Sequence, residues 1–355
     1  MQITSKFEDI FGYLPVGSSF TPGRVNLIGE HIDYNGGMVL PAALDLGTSI
    51  SFKPRNDKKV RVYSDKFEVI AECSVDDAAA DDWADYALGA VVYANKAGFI
   101  KGGADIAVQT TLPFSAGLSS SSALTVGFLK LARDYAKDAM SDTEIAVLAR
   151  RIENEFIGMP CGIMDQMAVA IAQPGQALAL DTATLDYEVV DLPKTHHMAV
   201  LHTGQYRRNA DGNYKARKEE CDLVKAALGR DNICSMTDVE LHNLISLDNT
   251  IVRRALHCMT EHRRTLDAVQ SLKENDIDTL GRLMNESHTS MRDDFEMSLP
   301  PIDALVDDAV KLGAVGARLT GGGFGGCIVA CVPNEILNNW TKELTAKHPA
   351  AFSVA

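Results

Sequence analysis

The sequence predicts a mixed α/β or α+β protein of about two domains. Three observations predict it. Strand-like and helix-like segments alternate along the chain, which argues against a helical bundle or a β-sandwich. The chain has 355 residues with 46% hydrophobic content, enough to bury a sizeable core in about two domains. It contains no internal repeat or low-complexity tract, and no linker rich in Pro, Gly or Ser marks a boundary.

In chain order, the first informative run is residues 22–37. Arg24, Glu30, His31 and Asp33 crowd between glycines there, with Val25, Leu27 and Ile28 interleaved. This pattern predicts a wall with one buried and one polar side. Pro113 to Gly117 then lead into Leu118 and four consecutive serines, Ser119 to Ser122, and Leu124, Phe128 and Leu131 follow at helical spacing. A loop becomes a helix at this point. Small hydroxyl residues leave room for an anion to approach the unpaired, partly positive N–H groups of the first turn. A plain serine-capped helix start is the alternative.

Ser141 and Glu144 form a capping box, and Ile145, Leu148, Ala149, Ile152 and Phe156 make one apolar stripe until Gly158 and Pro160 stop the helix. Glu153 lies beside that stripe near the C-terminal end, where the helix dipole disfavours a carboxylate. Taken alone it reads equally as an exposed surface acid. If a helix begins near Gly162, Asp165 sits in its first turn, where the dipole and a nearby Arg24 favour the ionised form. The structural alternatives are a helix N-cap or first-turn acid for Asp165 and, for Arg24, an ion pair with Glu30 or Asp33.

Residues 179–193 read as a strand pair around Asp186, and residues 198–201 as a strand opening a new unit. That places the domain boundary near 195, dividing the chain into 1–195 and 196–355. Helical patterns dominate from about 215, including residues 251–272. Residues 321–326 then hold five glycines in six positions, followed by a strand at 327–332. Glycine so concentrated permits positive φ and close backbone approach to a ligand, or marks a simple turn.

Together, the run around Arg24, the serine run and the glycine run resemble the GHMP kinases, and the first of these resembles the branch that phosphorylates galactose. The likeness extends to residues 160–166, to residues 253–257 through Glu261 and Arg264, and to Ser287-His288 with residues 292–294. It implies an α+β, two-domain architecture: an N-terminal domain of the ribosomal-protein-S5-like type, a C-terminal ferredoxin-like domain and an active site between them. It also implies ATP-dependent phosphorylation of the anomeric hydroxyl of galactose. By the same resemblance Gly117, Leu118, Ser119, Ser120 and Ser121 wrap the ATP phosphates, and Ser121 with Glu153 holds Mg2+, an oxygen-donor set suited to a hard cation. Asp165 faces the reacting hydroxyl and Arg24 offsets developing charge. Glu30, His31, Asp33, Gly162 and Tyr214 contact the sugar, and Trp83 and Tyr86 fall where the family packs against the nucleotide base.

Departures from the family pattern concern the sugar and the loops. Ile32 stands for a threonine, Ser115 and Ala116 for glycines, and residues 202–210 for a His-x-Leu element. Asp181 lacks the arginine expected after it. N-acetylgalactosamine, L-arabinose and galacturonate therefore remain alternative substrates, and a sugar and ATP sensor without turnover is the alternative of a different class. The formal charge of −14 disfavours nucleic acid and membrane partners. Seven cysteines without a CxxC pair suggest neither a disulfide framework nor a zinc site. The N-terminus shows no signal-peptide core. A cytoplasmic monomer acting on a small sugar and ATP is expected.

Overall fold

The computed structural model describes residues 3–113, 116–205 and 210–355. Ser115 and the stretch from Tyr206 to Asn209, both within departures from the family pattern, lie outside the described residues. Along the chain the elements begin with α1 (Ile3–Phe11), β1 (Gly17–Asn26), β2 (Met38–Val39), β3 (Pro41–Pro54), β4 (Lys59–Ser64) and β5 (Val69–Ser74). They continue with α2 (Asp85–Lys96), β6 (Ala104–Thr110), α3 (Ser120–Ala136), α4 (Asp142–Arg151), a π-helical turn (Ile152–Ile157) and α5 (Met164–Ile171). Next come β7 (Gln176–Asp181), β8 (Tyr187–Asp191), β9 (His196–His202), α6 (Ala210–Leu228), α7 (Asp238–Asn243) and α8 (Asn249–Glu274). The chain closes with α9 (Ile277–Asp293), α10 (Pro300–Lys311), β10 (Gly316–Thr320), β11 (Cys327–Pro333), α11 (Leu337–Lys347) and β12 (Phe352–Ser353). Each sequence-predicted segment is found: the strand pair at β7 and β8, the strand at β9, the long helix at α8 and the strand at β11.

The chain divides into two compact units, Met1–Arg24 with Ala43–Phe114 and Ser119–Pro174, and Val25–Ala42 with Ser115–Leu118 and Gly175–Ala355. This division differs from a single cut at 195. β7 pairs with β2 and β8, and all three strands belong to the second unit along with β9 and the helices after it. In the first unit β6 lies between β3, antiparallel, and β4, parallel, and β5 closes the edge. Helices α2, α3, α4 and α5 pack on one another there. In the second unit an antiparallel sheet runs β10-β11-β9-β12.

Helix starts differ in a way the sequence only partly shows. α4 opens with the predicted capping box, Ser141 accepting from the Glu144 N–H while Glu144 Oε2 accepts from the Ser141 N–H at 2.8 Å. Asp142 and Arg151 bound its regular turns, after which the chain widens into the π-helical turn that ends at Gly158 in the left-handed region. Such π-turns concentrate at functional sites. α3 opens otherwise: Ser119 occupies its N-cap position at φ 61°, and no side chain caps it. None of the seven cysteines forms a disulfide. Among the described residues no helix is long and apolar enough to cross a membrane.

Candidate active site

In the first unit Arg24 and Asp165 are brought together from positions 141 residues apart. Arg24 ends the first unit's share of β1, and its side chain is nearly buried. Asp165 sits in the first turn of α5 with about a third of its side chain exposed. Arg24 Nε donates to Oδ1 at 2.8 Å and Nη2 to Oδ2 at 2.6 Å, a bidentate fork. Ser119 Oγ donates to the same Oδ2 at 2.7 Å. The N-cap of α5 is Ile163, so Asp165 is a first-turn acid and not the cap, and Arg24 directs this fork onto it. The left-handed backbone of Ser119 explains why its hydroxyl is missing from the helix cap: it is turned onto the carboxylate.

Glu153 belongs to the π-helical turn and is buried, so the surface-acid alternative falls away. Its Oε1 accepts from Ser122 Oγ at 3.1 Å and from Gln166 Nε2 at 2.9 Å. Burial, and then the neighbouring Asp165 charge, push its pKa up. The hydroxyl that hydrogen-bonds to Glu153 is thus that of Ser122. Successive helical residues point about 100° apart, and Ser121 faces the cavity described below. The donor set suits a hard cation: a buried carboxylate held against its own repulsive surroundings, and a buried Gln166 Oε1 without a hydrogen-bond partner. Among the described residues no cluster of three or more His, Cys, Asp or Glu could hold a metal ion. A cation here would complete its shell with substrate oxygens, as Mg2+ commonly does.

Beside the start of α3 lies a cavity of about 240 Å³, lined by Phe67, Trp83, Tyr86, Leu112, Ser120 and Ser121 among others. Phe67 stacks on Trp83 with ring centroids 4.8 Å apart. Trp83 and Tyr86 are therefore cavity walls, with serines of the helix start at the rim. Phe67, which the sequence pattern did not reveal, lies in an exposed turn and carries no signal that would mark it.

In the second unit the run from Val25 to Gly37 holds Glu30, His31 and Asp33. Glu30 is buried: Oε2 accepts from Asn26 Nδ2 at 2.9 Å and Oε1 from the Gly321 N–H at 2.8 Å. The glycine-rich run forms the β10–β11 hairpin loop, with Gly321, Gly323, Gly325 and Gly326 at positive φ. Gly323, at φ +79°, also leaves no room for a Cβ, which would lie 2.9 Å from the Met297 backbone oxygen. The close approach that this loop permits is to Glu30. His31, at φ 59°, pairs Nδ1 with the Tyr34 hydroxyl at 2.6 Å and packs its ring against Tyr214 and Phe295. Asp33 is partly exposed in the same turn. Gly162 lies two residues before α5, in the first unit, and Gly117 and Leu118 precede the helix start at Ser119. Ile32 and Ala116 do not have positive φ, so these replacements are accommodated.

A carboxylate held open by a guanidinium, next to an uncapped helix start and an aromatic cavity, can orient a hydroxyl toward a phosphorylated ligand without forming a covalent bond. The fold that carries these groups is that of the GHMP kinases: their N terminal domain matches residues 85–173 and their C terminal domain residues 268–345. Within that class the galactokinase galactose-binding signature matches residues 5–54. The chain is 40% identical over 348 residues to a galactokinase of Glaesserella parasuis, covering 93% of this chain and 89% of that protein. It is 37% identical to a galactokinase of Clostridium perfringens, covering 96% and 92%. The crystal structure of Lactococcus lactis galactokinase complexed with galactose aligns with a TM-score of 0.91 at 30% identity, over 99% of this chain and 96% of that one. Methanococcus jannaschii mevalonate kinase shares the fold, with a TM-score of 0.68 at 20% identity over 95% and 97%. The chain belongs to the galactokinase family.

Proposed function

We propose that this protein transfers the γ-phosphoryl group of ATP to the anomeric hydroxyl of galactose, giving galactose 1-phosphate and ADP. The observation that carries the reading is the Arg24–Asp165–Ser119 cluster: a carboxylate fixed by three hydrogen bonds yet open to a ligand, in a galactokinase-family chain. Asp165 accepts or orients the proton of the attacking hydroxyl, and Arg24 offsets charge that builds on the reacting oxygens. Glu30, His31, Asp33, Gly162 and Tyr214 hold the sugar. The backbone from Gly117 to Ser121 takes the phosphates at the uncapped start of α3, and the cavity beside Trp83 and Tyr86 takes the base.

Ser121 and Glu153 are the groups that would hold Mg2+, with Ser122 and Gln166 fixing Glu153. When bound, the ion neutralises phosphate charge. In this reading the domains are residues 1–195 and 196–355, and the protein acts as a monomer in the cytoplasm, where seven cysteines without a disulfide are at home.

The test is ADP release with Mg2+, ATP and a panel of galactose, N-acetylgalactosamine, L-arabinose and galacturonate, repeated with Asp165→Asn. Turnover on galactose that drops by about 10³-fold in the variant is expected. Turnover only on another sugar, or sugar binding without ADP release, overturns the proposal.

A further inference from the structure

Neither hydrogen-bonding group of the Glu30 backbone is held by its own strand or turn; both are held by one helix. Glu261 of α8 is fully buried and has its Oε1 2.9 Å from the Gly29 N–H and 3.4 Å from the Glu30 N–H. One turn earlier on the same helix, His257 Nε2 lies 3.1 Å from the Glu30 carbonyl oxygen. A carbonyl can only accept, so Nε2 carries the proton.

The turn caught in this way is one that the chain makes only with glycine. Gly29 has φ +102°, and a Cβ there would stand 2.9 Å from the Met38 oxygen and the Val39 Cα. Two successive N–H groups converging on one oxygen form a small anion nest, filled here by the protein's own carboxylate. Glu261 is held in turn by Ser287 Oγ at 2.6 Å and Arg264 Nε at 2.9 Å. The wholly buried Arg318 lies 3.8 Å from Glu261 Oε1 and 3.5 Å from Glu30 Oε1, bridging the carboxylate that holds the backbone and the one that the backbone presents. His257 also packs its ring on Phe295 at 4.5 Å, and Phe295 packs on His31 at 4.8 Å.

We infer that Glu261 and His257 are positioning residues for sugar recognition: they set the backbone of residues 29–31, and through it the direction in which Glu30 and His31 are presented. The inference rests on the proposed reading of Glu30 and His31 as sugar contacts. Neither α8 residue touches the sugar. Phosphoryl transfer depends on placement at the ångström scale, so a slackened turn weakens binding of one substrate and leaves the other alone.

The experiment measures KM for galactose, KM for ATP, kcat and galactose-induced thermal stabilisation in the full chain. The variants are His257→Leu, His257→Gln, Ser287→Ala and Glu261→Gln. Losing one such hydrogen bond corresponds to about a tenfold change, so His257→Leu and Ser287→Ala should raise galactose KM about tenfold with ATP KM within about twofold. The variant His257→Gln, whose amide can still donate to the Glu30 carbonyl, should recover most of that loss. Glu261→Gln should lose galactose-induced stabilisation before it loses stabilisation by ATP. If His257→Leu and Ser287→Ala lower the melting temperature but leave both KM values in place, the residues are merely structural and the inference is overturned. If the unaltered protein does not turn over galactose, the proposed function fails instead, and the two failures are told apart by that control.

Discussion

Asp165 and Glu30 are both carboxylates that the sequence marks for substrate, yet the molecule treats them in opposite ways. Asp165 keeps about a third of its side chain open, and its three hydrogen bonds come from side chains, two from Arg24 and one from Ser119. Glu30 is almost wholly enclosed, its carboxylate caught by Asn26 and a glycine-loop N–H and its backbone caught by α8. The first is a partly open carboxylate held by side chains from two other segments of its own unit. The second belongs to a turn whose shape is imposed by residues more than two hundred positions away. A group that must exchange a proton stays accessible, whereas one that must only keep its place can be buried if every polar atom is matched.

Replacing Arg24 tests the reactive side of this contrast most severely. The variant Arg24→Lys keeps the charge but loses the fork, and kcat should fall about 100-fold or more with galactose KM little changed. Steady-state kinetics decide it, and an unaltered kcat would mean that the fork is only structural.

Acid tests the enclosed side next. Burial pushes the His257 imidazole down to about 4, so the folded state resists a proton that the unfolded chain accepts near 6.5. The stability this contributes is fully present above about 6.5 and is lost as pH falls toward 4, by up to about 3 kcal/mol. Burial lowers His288 to about 4 as well, so it adds a loss of the same sign. Urea midpoints should fall between about pH 7 and about pH 4.5, and His257→Gln should remove part of that slope. A slope identical in the variant would contradict the burial argument. Glu261, held down to about 2 by Arg264 and Arg318 against the cost of its own burial, adds a further loss only below about 4.5.

A smaller effect separates Ser119 from Arg24. Removing the hydroxyl with Ser119→Ala takes one hydrogen bond from the Asp165 carboxylate, which should lower kcat about tenfold. If ATP KM moved and kcat did not, Ser119 would belong to phosphate binding alone. Smallest of all, Trp83→Ala should raise ATP KM roughly fivefold while galactose KM stays put, because it trims one aromatic wall of the cavity. A shift in galactose KM instead would detach that cavity from the nucleotide.

Local chemistry made much of this legible. The capping box at Ser141 and Glu144, the stop at Gly158 and the strand pair around Asp186 are short-range signals, and each is found where the pattern put it. The glycine run permits the positive φ values found at Gly321, Gly323, Gly325 and Gly326. Less legible was the partner of each group. Ser122 is the hydroxyl that hydrogen-bonds to Glu153, because rotation along α3 and the widened turn after α4 choose the pairing. Spacing along the chain does not encode that rotation.

By itself, the sequence determined the class of chemistry: a guanidinium, acids, a serine-rich helix start and a glycine hairpin, with strands and helices in the right order. Tertiary structure alone decided which atoms meet. The Arg24 fork reaches Asp165, Ser119 turns from its helix to the same carboxylate, and α8 grips both sides of the Glu30 backbone. The reason is physical. Helix periodicity and turn preference act over a few residues, but a buried polar group must find its partner in space, and that partner is set by how distant elements pack.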